Sequence, residues 1–379
     1  MPPISIDFIV FCLLTFFVLI QLGYFGFIFS RLAFYKPKDN LDASPQVAVS
    51  IIVCAFNEEA NLLKNLPLLL DQQYLKNGKP NFEVLVVNHN SQDDTFYLLN
   101  RMKEQYPHLS VLHLTQDAKL IPGKKFPLSM GIKQAANEHM LLTDADCIPA
   151  SDKWLSLMAA GFSDTKKIVL GYSPYVEYSG SLNRQIRFET AHSAMQYLSY
   201  ALAGLTYMGV GRNLAYVKTL FNQNKGFSSH NQITSGDDDL FINQIATAKN
   251  TSIVIHPDAF TYSEPKKTTE EWAFQKSRHL STGKFYQFKH QFLLGLYAFS
   301  HFGTWIMLFT SIVFHQYLIV AACLFLFRWI IQWFIFQRCF AKLDARNLSN
   351  WITLFDVWLL LYNIKNSPSI FFKTQKNWK

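Results

Sequence analysis

Residues 139–146 read His139-Met-Leu-Leu-Thr143 followed by Asp144-Ala-Asp146, so an apolar run ends in two carboxylates one residue apart. The run predicts a buried strand, and its carboxyl end is the edge at which open α/β sheets bind ligands. Two oxygen ligands at this spacing suit Mg²⁺ or Mn²⁺, which keeps positions open for phosphate oxygens. Asp is also common in turns, so an ordinary strand-to-loop turn is the alternative interpretation of this motif taken alone.

The residues before this run alternate between strand and helix patterns. Strands are predicted at Val47–Cys54, Glu83–Val87 and Ser110–Leu114, ahead of the strand at His139–Thr143. Helices are predicted after a cap at Asn57 with Glu58 and Glu59 in the first turn, at Thr95–Gln105 after the capping box Ser91-Gln-Asp-Asp94, and within Gly123–Asn137. Such alternation predicts an α/β fold with a mostly parallel sheet and helices on both faces.

Composition bounds the class of protein. The chain has 379 residues, of which 50% are hydrophobic, and its net charge is +8, so we expect about two structural units. The five cysteines (Cys12, Cys54, Cys147, Cys323 and Cys339) are scattered without a Cys-x-x-Cys pair, which argues against a disulfide framework or a zinc site. We therefore expect the catalytic unit in a reducing compartment.

Apolar segments are concentrated at the two ends of the chain. Membrane-spanning helices are predicted at Ile9–Phe29, Phe292–Phe314 and Tyr317–Phe336, with an external turn at His315-Gln316. Basic residues that flank these segments (Arg31, Lys36, Lys38, Arg338, Lys342 and Arg346) place the central region in the cytoplasm by the positive-inside rule. Charges of this kind explain much of the positive balance, and no basic helix or aromatic-rich signature favours nucleic-acid binding.

The expected organisation has four parts. Residues 1–30 form an N-terminal transmembrane helix, residues 46–290 a cytoplasmic catalytic domain, and residues 292–338 two further transmembrane helices. Residues 351–379 follow as an interfacial helix and a basic tail, because Trp351–Ile364 is apolar but short and contains Asp356. The expected location is the inner or plasma membrane.

The second half of the chain carries three more motifs, each with a structural alternative. Met208-Gly-Val-Gly-Arg-Asn213 allows close approach of backbone to a ligand, or forms an ordinary tight turn. Ser235-Gly-Asp237-Asp238-Asp239 packs carboxylates that raise one another's pKa toward that of a general base, or forms an acidic helix N-terminus. Gln275-Lys-Ser-Arg278-His279 offers an arginine fork to a diphosphate, or is the basic flank of a membrane helix.

The order and spacing of these motifs over residues 47–290 resemble membrane-anchored, inverting family 2 glycosyltransferases of the GT-A fold. The motifs that carry the resemblance are Val49-Ser-Ile-Ile-Val-Cys-Ala-Phe-Asn-Glu58, Gly123-Lys-Lys, Thr143-Asp-Ala-Asp146, Gly236-Asp-Asp-Asp239-Leu and Gln275-Lys-Ser-Arg278. The resemblance implies a nucleotide-sugar donor, with a UDP-sugar favoured and a GDP-sugar possible, and Mg²⁺ or Mn²⁺. The predicted membrane helices suggest a lipid-linked or saccharide acceptor presented at the lipid bilayer.

Site residues follow from the same resemblance. Donor contacts are expected from Ala55, Glu58, His89, Lys124 and Asp144, metal ligation from Asp144 and Asp146, and acceptor or diphosphate contacts from Asn213, Gln275 and Arg278. Asp237 is expected to be the catalytic base, with Asp238 as the close alternative. A polyprenyl-phosphate glycosyltransferase and a catalytically silent nucleotide-binding scaffold remain alternatives.

Two departures from the family pattern bear on specificity. His89 stands where the family usually has an Asp that contacts the donor base, and His279 replaces the Trp of the Gln-x-x-Arg-Trp element. The identity of the donor base and the length of the product are therefore left open.

Overall fold

The computed structural model describes residues 5–37, 46–115, 123–315 and 317–372. The strands are β1 Val49–Ala55, β2 Leu75–Lys76, β3 Lys79–Pro80, β4 Phe82–His89, β5 Leu109–Leu114, β6 His139–Asp144, β7 Cys147–Pro149, β8 Ile168–Leu170, β9 Leu214–Val217, β10 Thr251–Ile253 and β11 Thr261–Ser263. The helices are α1 Ile6–Gly23, α2 Ser30–Ala33, α3 Glu59–Leu70, α4 Thr95–Gln105, α5 Lys125–Gln134, α6 Trp154–Ala159, α7 Ser181–Leu202, α8 Lys218–Gln223, α9 Asp239–Ile245, α10 Thr269–Leu280, α11 Phe288–Phe314, α12 Leu318–Lys342 and α13 Ile352–Phe372.

Seven strands form the central sheet in the order β10-β8-β9-β6-β1-β4-β5. The neighbours β6, β1, β4 and β5 run parallel, whereas β9 is antiparallel to both β6 and β8. All seven residues of β1 are buried, because helices cover both faces of the sheet. Ile52 joins the hydrophobic core on one face, and Ile51 and Val53 join the core on the other. The predicted mostly parallel sheet with flanking helices is confirmed.

Helix caps near the ligand-binding edge differ from the sequence prediction. The helix after β1 begins at Glu59, and Asn57 lies outside it with φ +54°. The carboxylate of Asp93 accepts a hydrogen bond from the Glu59 N–H at 3.1 Å, and Asn57 Oδ1 accepts one from the Gln92 N–H at 2.7 Å. The predicted Asn57 cap is wrong because the loops after β1 and β4 lie side by side: Asp93 of the second loop caps α3, and Asn57 accepts its hydrogen bond from that loop.

In the described part of the chain, three helices are long and apolar enough to cross a membrane: Ile6–Ala33, Phe288–Phe314 and Leu318–Lys342. The first joins α1 and α2 through a π-helical segment, Tyr24–Phe29. The three segments contain the predicted spans except Tyr317, which lies just before the third helix, while the orientation in a membrane and the domain boundaries stay predictions. Gln316 of the predicted external turn and the basic tail of residues 373–379 lie outside the described residues.

Helix α13 is longer than the predicted interfacial segment. It begins at Ile352 and packs against α10, α11 and α12. Asp356 is only 2% exposed, and its Oδ2 accepts a hydrogen bond from Arg328 Nη1 of α12 at 2.8 Å. The charge that suggested an interfacial position is thus buried as an ion pair between two helices.

Candidate active site

Two carboxylates stand at the carboxyl end of β6. Asp144 is the last residue of that strand, and Asp146 precedes the short strand β7. One carboxylate oxygen of each residue and the Cys147 Sγ atom all lie within 4.8 Å of one another. Burial raises the pKa of the Cys147 thiol to about 12, and Ser263 Oγ lies 3.1 Å from its sulfur. The thiol therefore stays protonated, and the carboxylates remain as the ligands suited to a hard cation.

Lys124 sets the charge state of Asp144. Its buried ammonium donates a hydrogen bond to Asp144 Oδ1. Burial alone would raise the pKa of Asp144, but Lys124, Arg212 and Arg278 outweigh burial and hold that pKa below its ordinary value. Asp144 is therefore ionised at neutral pH, and its second oxygen has no hydrogen-bond partner among the described residues.

Arg212 is a cavity residue that the sequence reasoning did not select. Its Nη2 donates a hydrogen bond to the Ser173 carbonyl oxygen at 3.0 Å, and its guanidinium stacks 4.4 Å from the centroid of the Tyr175 ring. Its Nη1 is buried and has no hydrogen-bond partner among the described residues. A signal that could have identified it is its place after Gly211 in the glycine-bearing segment. A fixed guanidinium with a spare donor is suited to an anionic ligand.

Asn213, the next residue, has a structural role instead. Its Nδ2 donates hydrogen bonds to the carbonyl oxygens of Tyr172 and Ala259, both at 2.8 Å. Its Oδ1 accepts a hydrogen bond from Trp154 Nε1 at 3.1 Å, and the side chain is fully buried. The structure therefore corrects the expected ligand contact, because the amide joins three segments of the protein and does not line the cavity.

The three consecutive aspartates have different surroundings. Asp239 accepts hydrogen bonds from the hydroxyls of Thr282 and Tyr286 and is 7% exposed. Asp238 accepts from the N–H groups of Gly211 and Asp239, at 2.8 and 2.7 Å. Burial, followed by the charges of Asp237 and Asp239, raises the pKa of Asp238 to about 7. We find no hydrogen bond to the Asp237 carboxylate in the described part of the chain, so its oxygens are available to a substrate.

One cavity of about 1210 Å³ brings most of these groups together. The expected site residues that line it are Glu58, Lys124, Asp144, Asp146, Asp237, Asp238, Gln275 and Arg278, and Arg212 joins them. Gln275 Nε2 donates a hydrogen bond to the Tyr175 hydroxyl at 3.2 Å, while its Oε1 is buried with no partner among the described residues. The amide oxygen is therefore free to accept a hydrogen bond from a ligand hydroxyl.

Two expected donor contacts lie beside this cavity and are not part of its described wall. Ala55 ends β1 and is 1% exposed. His89 ends β4, and its ring meets the Phe126 ring edge-on with centroids 5.8 Å apart. Both lie at the same edge of the sheet as Asp144, as the parallel arrangement requires. Their contact with a donor base stays a prediction.

The cavity also has a second arm that extends toward the apolar helices. Its walls are residues 189–197 of α7, residues 291–301 of α11 and residues 359–363 of α13, where the lining includes Glu189, Leu294, Tyr297, His301 and Tyr362. The lining mixes polar, aromatic and aliphatic side chains. The site thus has a charged end at the sheet and a mixed end among the helices.

Residues 50–224 match the model of the Glycosyl transferase family 2. Glycosyltransferase AglE of Haloferax volcanii is 30% identical over 123 residues, which cover 32% of this chain and 38% of that protein. Dolichyl-phosphate beta-glucosyltransferase ALG5D of Trichomonas vaginalis is 33% identical over 105 residues, 27% of this chain and 31% of that protein. The matched segment thus spans roughly a third of the length of these curated relatives.

A solved structure agrees over most of the chain. The mannosyltransferase PcManGT of Pyrobaculum calidifontis, determined in complex with GDP-Man and Mn²⁺, superimposes with a TM-score of 0.57 at 17% sequence identity. The match covers 93% of this chain and 99% of that one. The fold is therefore the GT-A type that the sequence motifs implied.

Proposed function

We propose that this protein is an inverting glycosyltransferase that moves a sugar from a nucleotide-sugar to a lipid-linked or saccharide acceptor at the cytoplasmic face of a membrane. The observation that carries the proposal is the convergence of Asp144, Asp146 and Asp237 on one cavity. The family of the domain supports transfer of a sugar, and the three apolar helices support attachment to a bilayer.

The donor diphosphate is proposed to bind at the carboxyl end of β6. The free oxygen of Asp144 and the exposed carboxylate of Asp146 fit Mg²⁺ or Mn²⁺, which take few protein ligands and complete their shell with water and phosphate oxygens. A cation held there would neutralise charge that develops on the leaving diphosphate. The Nη1 group of Arg212 and the guanidinium of Arg278 line the same cavity and would contact the same oxygens. The proposed donor is a UDP-sugar or a GDP-sugar.

Asp237 is proposed as the base. Its carboxylate takes the proton of an acceptor hydroxyl while that oxygen forms a bond to the anomeric carbon. The bond between the anomeric carbon and the diphosphate oxygen breaks, and the nucleoside diphosphate leaves with the electron pair. One displacement inverts the anomeric carbon. Asp238 and Asp239 are less suited because their oxygens already accept hydrogen bonds that hold α9 and the 282–286 segment.

The second arm of the cavity supports an acceptor that approaches from the membrane. The arm follows α11 from Gln291 to His301, a distance of about 15 Å at 1.5 Å per residue. That helix is one of the three long enough to cross a membrane. A polyprenyl phosphate is the second candidate acceptor, and the name of the relative in Trichomonas vaginalis favours it.

The Asp237→Asn variant tests the base and separates the two acceptor classes. For a hydroxyl acceptor we expect a loss of turnover of about 10²-fold or more with nucleotide binding retained, because general base catalysis contributes that much. A phosphate acceptor is already largely ionised at neutral pH and needs no base, so its transfer would survive. Asp164→Asn, an exposed change outside the cavity, is the matched control. Full turnover of Asp237→Asn with every acceptor would refute the assigned role.

A further inference from the structure

Lys125 is a buried lysine beside the site. It is the first residue of α5, its side chain is fully buried, and its Nζ donates hydrogen bonds to three backbone carbonyl oxygens. These belong to His230 at 2.8 Å, Ile233 at 2.5 Å and Ser235 at 2.7 Å. A lysine ammonium has three donors and no acceptor, so this cage uses the full capacity of the group.

Gly123 shows independently that the turn before α5 fits closely against the same loop. Its φ is +79°, and a Cβ built on it would lie 2.5 Å from the Thr234 carbonyl oxygen. The turn at residues 123–125 and the loop at residues 230–235 therefore contact each other backbone to backbone. The loop leads directly into Asp237, whereas Lys124 of the same turn is bonded to Asp144. One turn thus contacts both Asp144 and the loop that precedes Asp237.

We propose that Lys125 is a positioning residue: its three hydrogen bonds hold the 230–235 loop and so fix the Asp237 carboxylate relative to Asp144. The catalytic consequence rests on the proposed function, but the effect on the loop does not. Met at position 125 would fill a similar volume and would leave three carbonyl oxygens without their charged donor. The loop would then be free to move, and Asp237 would spend less time in its working position.

The charge of Lys125 supplies a second readout. Burial lowers the pKa of Lys125 to about 8, while Asp237, Asp239 and Asp238 act in the opposite direction. Among the described residues, His230 also faces Lys125, and burial lowers the pKa of His230 to about 4. Above pH 8 the neutral amine keeps two N–H donors for three carbonyl oxygens. The loop should therefore loosen as the pH rises through that value.

The test compares the full-length Lys125→Met and wild-type proteins, with Lys133→Met as the control because Lys133 is exposed on the same helix. Hydrogen exchange of residues 228–238 is measured by mass spectrometry at pH 7, together with nucleotide binding and turnover. We expect Lys125→Met to exchange this segment faster and to lose about tenfold or more in kcat, because three carbonyl oxygens lose their charged donor. Nucleotide affinity should stay within about twofold, because Lys125 does not line the cavity.

A second measurement, on wild-type protein between pH 7 and pH 9, does not depend on whether the variant folds. Exchange of residues 228–238, corrected for the intrinsic rate, should rise through about pH 8 together with a fall in kcat, and neither trend should appear in Lys125→Met. Equal exchange and equal kcat in the wild type and Lys125→Met would overturn the positioning role. If wild type transfers no sugar at all, the proposed function fails, while the exchange data still decide the role of Lys125.

Discussion

The buried ion pair between α12 and α13 makes a quantitative prediction about the helix bundle. Asp356 accepts hydrogen bonds from Arg328, His301, Gln332 and Trp305. Arg328 is fully buried, and its Nη2 also donates to Gln21 Oε1 of α1 at 3.0 Å. Asp356→Leu would leave an uncompensated guanidinium inside the bundle, which costs about 3–5 kcal/mol.

The double variant Arg328→Met with Asp356→Leu measures how much of that cost is due to the unpaired charge. Because replacing both ions with apolar groups is often nearly neutral, we expect it to recover most of the stability lost in Asp356→Leu. The remaining loss would come from His301, Gln332 and Trp305, which lose their shared acceptor, and from Gln21, which loses the Arg328 donor. Stability is measured in detergent by thermal unfolding of purified protein. The coupling energy is obtained from the wild type, Asp356→Leu, Arg328→Met and the double variant.

The Asn350→Ala change on the exposed surface is the control for handling and expression. A coupling energy near zero would refute the reasoning, because it would mean that Arg328 and Asp356 do not depend on each other. An Asp356→Leu protein as stable as wild type would refute it as well. In that case α13 would not be held to the bundle by this pair.

Three further predictions concern the edge of the sheet. Asn213→Ala should lower the free energy of unfolding by about 3 kcal/mol or more, because Trp154 and two carbonyl groups lose their hydrogen-bond partner. Loss of sugar transfer with an unchanged unfolding temperature would instead support the expected ligand contact of Asn213. Gly123→Ala should cost about 1–3 kcal/mol from its positive φ and the approach to Thr234, measured by thermal unfolding against Gly283→Ala, which has open space. Asp238 stays protonated in the folded state up to about pH 7 but ionises near pH 4 in the unfolded state. The free energy of unfolding of the wild type should therefore fall by up to ~4 kcal/mol as the pH rises from about 4 to about 7, relative to that of Asp238→Asn. Parallel pH profiles of the two proteins would contradict the raised pKa.

Local patterns in the sequence predicted the sheet well because burial of parallel strands leaves a strong signature. The run from His139 to Thr143 forms β6, and helix α4 has the predicted bounds Thr95–Gln105. The strand ends then place Asp144 and Asp146 at the ligand-binding edge, since parallel strands share that edge. Glu58, Gln275 and Arg278, which the sequence motifs singled out, line the same cavity.

Contacts between distant segments were beyond the reach of such patterns. Asn213 appeared to belong to a ligand loop, but its amide is used by Trp154, Tyr172 and Ala259, which come from other parts of the chain. Lys125 looked like an ordinary basic residue until the 230–235 loop was seen to surround its ammonium. A single charge in an apolar segment suggests an interface, whereas burial depends on a partner that only the packed structure reveals.

The prediction of the Asn57 helix cap was wrong for a related reason. A capping motif predicts a hydrogen bond within one loop, but at the carboxyl edge of the sheet two loops lie together and exchange these bonds. Asp93 therefore caps α3 from the neighbouring loop, and Asn57 bonds to Gln92. Such exchanges depend on strand order, which local sequence does not specify.

The most direct test of the proposed function is calorimetric binding of UDP and of GDP to detergent-purified wild type and Asp146→Asn, each with and without Mn²⁺. The account predicts that one of the two nucleotides binds the wild type in a Mn²⁺-dependent manner and that Asp146→Asn loses this dependence while remaining folded. Failure of both nucleotides to bind folded wild-type protein, with or without Mn²⁺, would contradict the assignment of the cavity as a nucleotide-sugar site.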